Sequence, residues 1–159
     1  MTIGHLCYAT YSYDSESRDP ELYLQNHDSI RYWCKSLKSS GISNVTVVQR
    51  FHSDHEFEKE GIRFTFIKDG TEIHPTVWHT PSRFHARIRD LNSDIVHVNG
   101  GTVHLRKLRR TVGGDKPIVW QHHGGFPDSI WKNNFYEHLM TGVNAFFFSS
   151  NGIADAWKL

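Results

Sequence analysis

Cysteine is scarce in this chain. Cys7 and Cys34 are the two copies, too few for a disulfide framework and at the wrong spacing for a CxxC-type zinc site. One falls in an apolar strand pattern and the other on the apolar face of a helix pattern, so both are expected as reduced thiols inside a core. An excess of charge of one sign is also missing: 18 Lys+Arg stand against 17 Asp+Glu. That balance removes the argument for a generic nucleic-acid binder, which would show a basic surplus. No apolar run reaches membrane-spanning length, and the N-terminus has no basic stretch leading into an apolar one. A soluble, cytoplasmic protein is the expectation, with contact at a membrane surface left open. Repeats, linkers and low-complexity segments are absent as well, so residues 1–159 are expected to form one domain. The chain ends inside its last helical pattern, without cap or tail, and so reads as a domain cut from a larger protein.

What is present is a regular order of signals. Hydrophobic residues make up 38% of the chain and aromatic ones 13%, enough for a folded core and too much for a disordered segment. His5 to Ala9 reads as a first strand. After a polar loop, Ile30, Trp33, Cys34 and Leu37 recur at i, i+3, i+4 and i+7, one face of a helix. Asp28 or Ser29 is placed to cap its start, and Gly41 its end. Val45 to Val48 is β-branched and reads as a second strand, and Ile62 to Ile67 alternates as a third. Thr80-Pro81 opens a helix with Phe84, Ile88 and Leu91 on its inner stripe.

A fourth strand from Asp94 to Val98 ends in Asn99-Gly100-Gly101. Val103, Leu105, Leu108 and Val112 support the next helix. A fifth strand from Pro117 to Gln121 ends in His122-His123-Gly124-Gly125. Ile130 to Met140 is helical, Val143 to Phe148 is a sixth strand, and Ser149-Ser150-Asn151-Gly152 leads into a last helical pattern. Short apolar strands alternating with amphipathic helices give βαβ units, a parallel sheet and helices on both faces.

In such a sheet, ligands bind outside the carboxyl ends of the strands. The last three strand ends carry small or polar residues: Asn99, Gly100 and Gly101, then His122, His123, Gly124 and Gly125, then Ser150 and Asn151. Glycine leaves no Cβ, so a ligand can approach the backbone closely there. The bland alternative is that each pair turns the chain into the next helix. Neither a GxGxxG fingerprint nor a GxxxxGK[ST] phosphate loop occurs. The loop after strand one, Tyr11 to Asp19, is glycine-free and acidic, a poor phosphate cradle.

Histidine, at 12 copies, raises the question of metal. Successive strand residues point to opposite faces, so His122 and His123 do not converge on one ion. A catalytic zinc needs three protein ligands, and no HExxH-type spacing supplies them. His52 and His55, near Asp54 and Glu56, come closer to a chelating cluster but fall in a charged loop after strand two. No metal site is expected. One histidine at a cleft can instead serve as a base near neutral pH. His97, mid-strand, reads as a hydrogen-bonded core histidine. Arg106, Lys107, Arg109 and Arg110 form a basic run on one helix, either a solvated face or a patch for an anionic membrane surface.

Three segments then resemble a known family in their order along the chain: DIVHVNGG from Asp94, KPIVWQHHGG from Lys116, and VNAFFFSSNGIADAW from Val143. Together they are similar to the N-terminal domain of GT-B glycosyltransferases, in particular glycosyltransferase family 4. The resemblance implies an α/β, Rossmann-like three-layer α/β/α fold with a mostly parallel sheet of six or seven strands. It implies the acceptor-holding half of a transferase that is retaining and metal-independent. A nucleotide-sugar donor, bound chiefly by a missing C-terminal domain, would be the co-substrate, and no other cofactor is implied. His123 matches the family's cleft histidine and Ser150 its serine after the sixth strand. Tyr11 to Asp19 departs from the family's glycine-rich first loop, so a phosphate contact there is not carried over. The reading from another class is a non-catalytic, flavodoxin-like binding module.

Overall fold

The computed structural model describes residues 3–11, 16–69, 80–100, 104–122, 138 and 140–156. Among these residues the elements begin with β1 (His5–Thr10), α1 (Pro20–Asn26), α2 (Asp28–Ser39), β2 (Asn44–Phe51), β3 (His55–Lys59) and β4 (Ile62–Lys68). They are followed by α3 (Ser82–Asp90), β5 (Ile95–Asn99), α4 (Leu105–Val112), β6 (Ile118–His122), β7 (Ala145–Phe148) and α5 (Asn151–Ala156).

The strands form one sheet in the order β3-β4-β2-β1-β5-β6-β7. Every neighbouring pair is parallel except β3 with β4. From β1 the chain steps outward through β2 to β4, then returns through α3 to β5 on the other flank of β1. Each crossover lays its helices on one side, giving three layers. Tyr23, Leu24, Ile30 and Cys34 of α1 and α2 pack with Leu6, Tyr8, Val45, Val47, Phe64 and Phe66 on one face. Phe84, Ile88, Leu105 and Leu108 of α3 and α4 pack with Cys7, Ala9, Tyr11, Val48, Val96, Val98 and Trp120 on the other. The expected α/β architecture is the one observed. Cys7 and Cys34 are both buried free thiols, raised by burial to about 12.

Two elements differ from the sequence reading. The polar stretch before α2 holds α1, where Asp19 accepts hydrogen bonds from the Glu21 and Leu22 amides and Pro20 opens the helix. At 7 residues it is too short to show a helical period. The expected charged loop at His55 and Glu56 is instead β3, an antiparallel edge strand. One apolar side chain anchors it: Phe57 stacks on Phe64 and Phe66, with ring centres 5.5 and 5.9 Å apart. Helix α2 begins at Asp28, one of the two expected caps, with His27 in the cap position. The helix expected from Ile130 to Met140 lies almost entirely outside the described residues, as does Val103.

Candidate functional site

The sheet reverses direction of travel between β1 and β5, which makes the carboxyl ends of those strands the topological switch point, the place where open α/β sheets bind ligands. Thr10, the last residue of β1, is in register with Asn99 of β5, and Asn99 with Gln121 of β6. Gly100 follows Asn99 with φ +69, a conformation that favours glycine. Its amide donates to the Gln121 carbonyl at 3.1 Å, and its carbonyl accepts from Trp120 Nε1 at 3.0 Å. The turn out of β5 is thereby pinned to β6 at both polar groups.

Asn99, Gly100, His122, Ser150 and Asn151 come to this one rim, as the strand ends require. Asn99, Gly100 and His122 are half-buried; Ser150 and Asn151 are exposed. Alternation divides them. His122 shares a face with Trp120, on whose ring it stacks at 4.9 Å, while Asn99 shares the opposite face with His97. Ser150 Oγ accepts from the Ile153 amide at 3.3 Å, so it caps α5. The described rim offers an amide, an imidazole and a hydroxyl, groups able to exchange hydrogen bonds with a polyhydroxylated ligand. Gly101, His123, Gly124 and Gly125 lie outside the described residues.

Behind the rim is a polar cluster that the sequence reading missed. Arg50 and Asp69, at the ends of β2 and β4, form an ion pair at 2.7 Å, and Arg50 Nη1 donates to the Tyr11 carbonyl at 2.8 Å. The Tyr11 hydroxyl hydrogen-bonds His85 Nε2 of α3 at 2.8 Å. Its ring stacks on His104, at the start of α4, with centres 5.9 Å apart. Arg50 and Tyr11 are fully buried, and His85 is 1% exposed. Burial pushes His85 down to about 3, helped by His104, and drives the Tyr11 phenol well above its ordinary value. Both are therefore neutral near pH 7. One signal was available: Arg50 shares the parity of Thr46 and Val48 within an otherwise uncharged strand.

The remaining candidates are occupied structurally. His97 is 3% exposed, 2.9 Å from Gln121 Oε1, with Tyr8 and Trp33 against its ring. His52 Nε2 meets the Arg18 carbonyl and His55 Nε2 meets Ser53 Oγ. Asp54 binds the Lys68 amide and Arg83, and Glu56 binds Arg87. In the basic run, Arg109 donates to the carbonyls of Gly113, Gly114, Lys116 and Gly142 and to Asn144 Oδ1, tying together the approaches to β6 and β7. Lys107 donates to Thr80 Oγ1 and Arg106 meets His138, while Arg110 is exposed.

A doubly wound parallel sheet with a polar, glycine-bearing rim at its switch point is the Rossmann-like architecture of GT-B glycosyltransferase halves. The chain belongs to Glycosyltransferase Family 4, whose sequence model matches residues 28–159. Among solved structures it is similar to an alpha,alpha-trehalose-phosphate synthase (UDP-forming) from Burkholderia xenovorans in complex with glucose-6-phosphate. That match has a TM-score of 0.53 at 12% identity and covers 97% of this chain, so it speaks for the fold. It covers 42% of the synthase, so this chain spans less than half of that protein's length. No curated protein matches the chain significantly.

Proposed function

We propose that the chain is the acceptor-side half of a sugar-nucleotide-dependent glycosyltransferase. It transfers a glycosyl group, with retention and without metal, to a glycan, lipid-linked or small-molecule acceptor. A C-terminal domain holds most of the nucleotide-sugar donor, and transfer takes place between the halves. The observation that carries this reading is the family match over residues 28–159, which spans every strand of the rim from β2 onward. Asn99, Gly100 and His122 stand at that rim, with hydrogen-bonding groups suited to sugar hydroxyls. Gly101, Gly124 and Gly125 let the substrate approach the backbone, and Ser150 and Asn151 border it at β7. His123 contacts the transferring sugar or the acceptor.

The test uses the full-length protein. A panel of sugar nucleotides is offered with acceptors that include a phosphorylated sugar, the class of ligand present in the synthase complex. Transfer from at least one donor is expected, and His123→Ala should lower turnover by about a hundredfold or more while leaving the melting temperature within a few degrees. Wild-type turnover in that variant removes His123 from the reaction. Failure of every donor returns the rim to a non-catalytic binding role.

A further inference from the structure

We propose that Tyr11 and His85 are positioning residues of the transfer cleft, setting the point where the chain leaves β1 against the starts of α3 and α4. The proposal rests on the transferase reading above. Its first ground is place. Tyr11 follows Thr10, which is in register with Asn99, so Tyr11 is the first residue past β1 at the switch point. The whole cluster lies at the carboxyl end of the sheet, in the layer of α3 and α4.

Its second ground is how completely this one residue is held. Arg50 Nη1 takes the Tyr11 carbonyl, while Arg50 Nε holds Asp69 at the end of β4. The phenol hydroxyl is taken by His85. Phe84 meets the ring edge-on at 4.8 Å, and His104 stacks on it at 15° to parallel. Backbone, hydroxyl and ring are fixed from three places in the chain: β2, α3 and the start of α4.

The third ground is chemical economy. A buried ion pair and a buried Tyr–His bond are not needed to fill a core, because apolar side chains of the same volume pack there at equal or lower free energy. Polar partners do what apolar packing does not: they define one geometry, since any other leaves a buried donor or acceptor unmade. His85 carries that sensitivity further, because its Nδ1 is buried with no hydrogen-bond partner among the described residues. Around it stand His104, Asp69, Lys107 and Arg50. A geometry specified this tightly at the ligand end of the sheet fits a cleft whose reaction depends on the spacing of its walls. Displacements of about 1 Å remote from the chemistry can lower rates by roughly a hundredfold.

The experiment compares Tyr11→Phe, His85→Leu and His85→Gln in the full-length protein. Tyr11→Phe keeps the ring and its packing but removes the hydroxyl. His85→Leu leaves the hydroxyl without a partner, whereas the carboxamide of His85→Gln can still meet it. We expect kcat to fall by about tenfold or more in Tyr11→Phe and His85→Leu, with KM within about twofold and partial recovery of kcat in His85→Gln. Unchanged kcat in the first two variants overturns the proposal. So does a fall in all three that merely follows their melting temperatures. Wild-type turnover separately tests the transferase reading. Should the wild type transfer nothing, amide exchange decides: acceleration in Tyr11→Phe confined to Thr10, Tyr11 and Gly100 supports the positioning role, and unchanged or uniformly faster exchange overturns it.

Discussion

Arg50 and Asp69 are joined at 2.7 Å with side-chain exposures of 0% and 2%, so neither charge reaches water. Their mutual attraction offsets a large desolvation penalty, and it does so only while both are present. Arg50→Met would remove the cation beside a buried carboxylate and take the donor from the Tyr11 carbonyl. Its unfolding free energy is expected to drop by about 3–5 kcal/mol in urea denaturation. Adding Asp69→Leu should recover much of that loss, because the buried charge no longer offset by Arg50 goes with it. A single variant within about 1 kcal/mol of wild type would contradict the pairing.

His85 gives the fold a pH dependence whose sign follows from its surroundings. Burial lowers it from 6.5 to about 3, so between those values the folded protein binds fewer protons than the unfolded chain. Stability is therefore full above about pH 6.5 and declines as pH falls toward 3, with one group contributing up to ~1.4 kcal/mol per pH unit. His5, also lowered chiefly by burial, acts in the same direction. Denaturation curves across this window should be visibly flatter for His85→Gln than for wild type. Parallel curves would assign the dependence to other groups.

The parts of the fold legible in the sequence are those whose signal is local. β5 and β6 are short apolar runs ended by glycine pairs, and α2 and α3 carry a clear apolar stripe. β3 was not legible, because four of its five residues are polar or charged and its identity comes from pairing with β4. The rim was legible as a place, since parallel strands must end on one side. Its faces were less so: Asn99 and His122 occupy the same edge yet turn to opposite sides. The Arg50–Asp69–Tyr11–His85 cluster was hidden because its members are separated by up to 74 residues in the chain and meet only through the sheet order. A lone arginine in VVQRF was its one local trace.

The exit from β5 offers the most direct measure of strain at the rim. Gly100 holds φ +69 while its amide and carbonyl are bonded to Gln121 and Trp120, so the backbone cannot rotate to negative φ without breaking at least one of these bonds. A Cβ at this position meets nothing within 4 Å among the described residues, which separates backbone strain from steric clash. Gly100→Ala is therefore expected to lower stability by about 1–2 kcal/mol, the penalty of a left-handed L-residue. Gly100→Asn should lose less, because asparagine tolerates that region through local hydrogen bonding. Trp120→Phe removes the indole donor and frees the Gly100 carbonyl. In that background the alanine substitution should become less damaging, because the turn can relax. Chemical denaturation of the four proteins in a double-mutant cycle measures this coupling, and strict additivity would mean that the indole bond does not hold the turn.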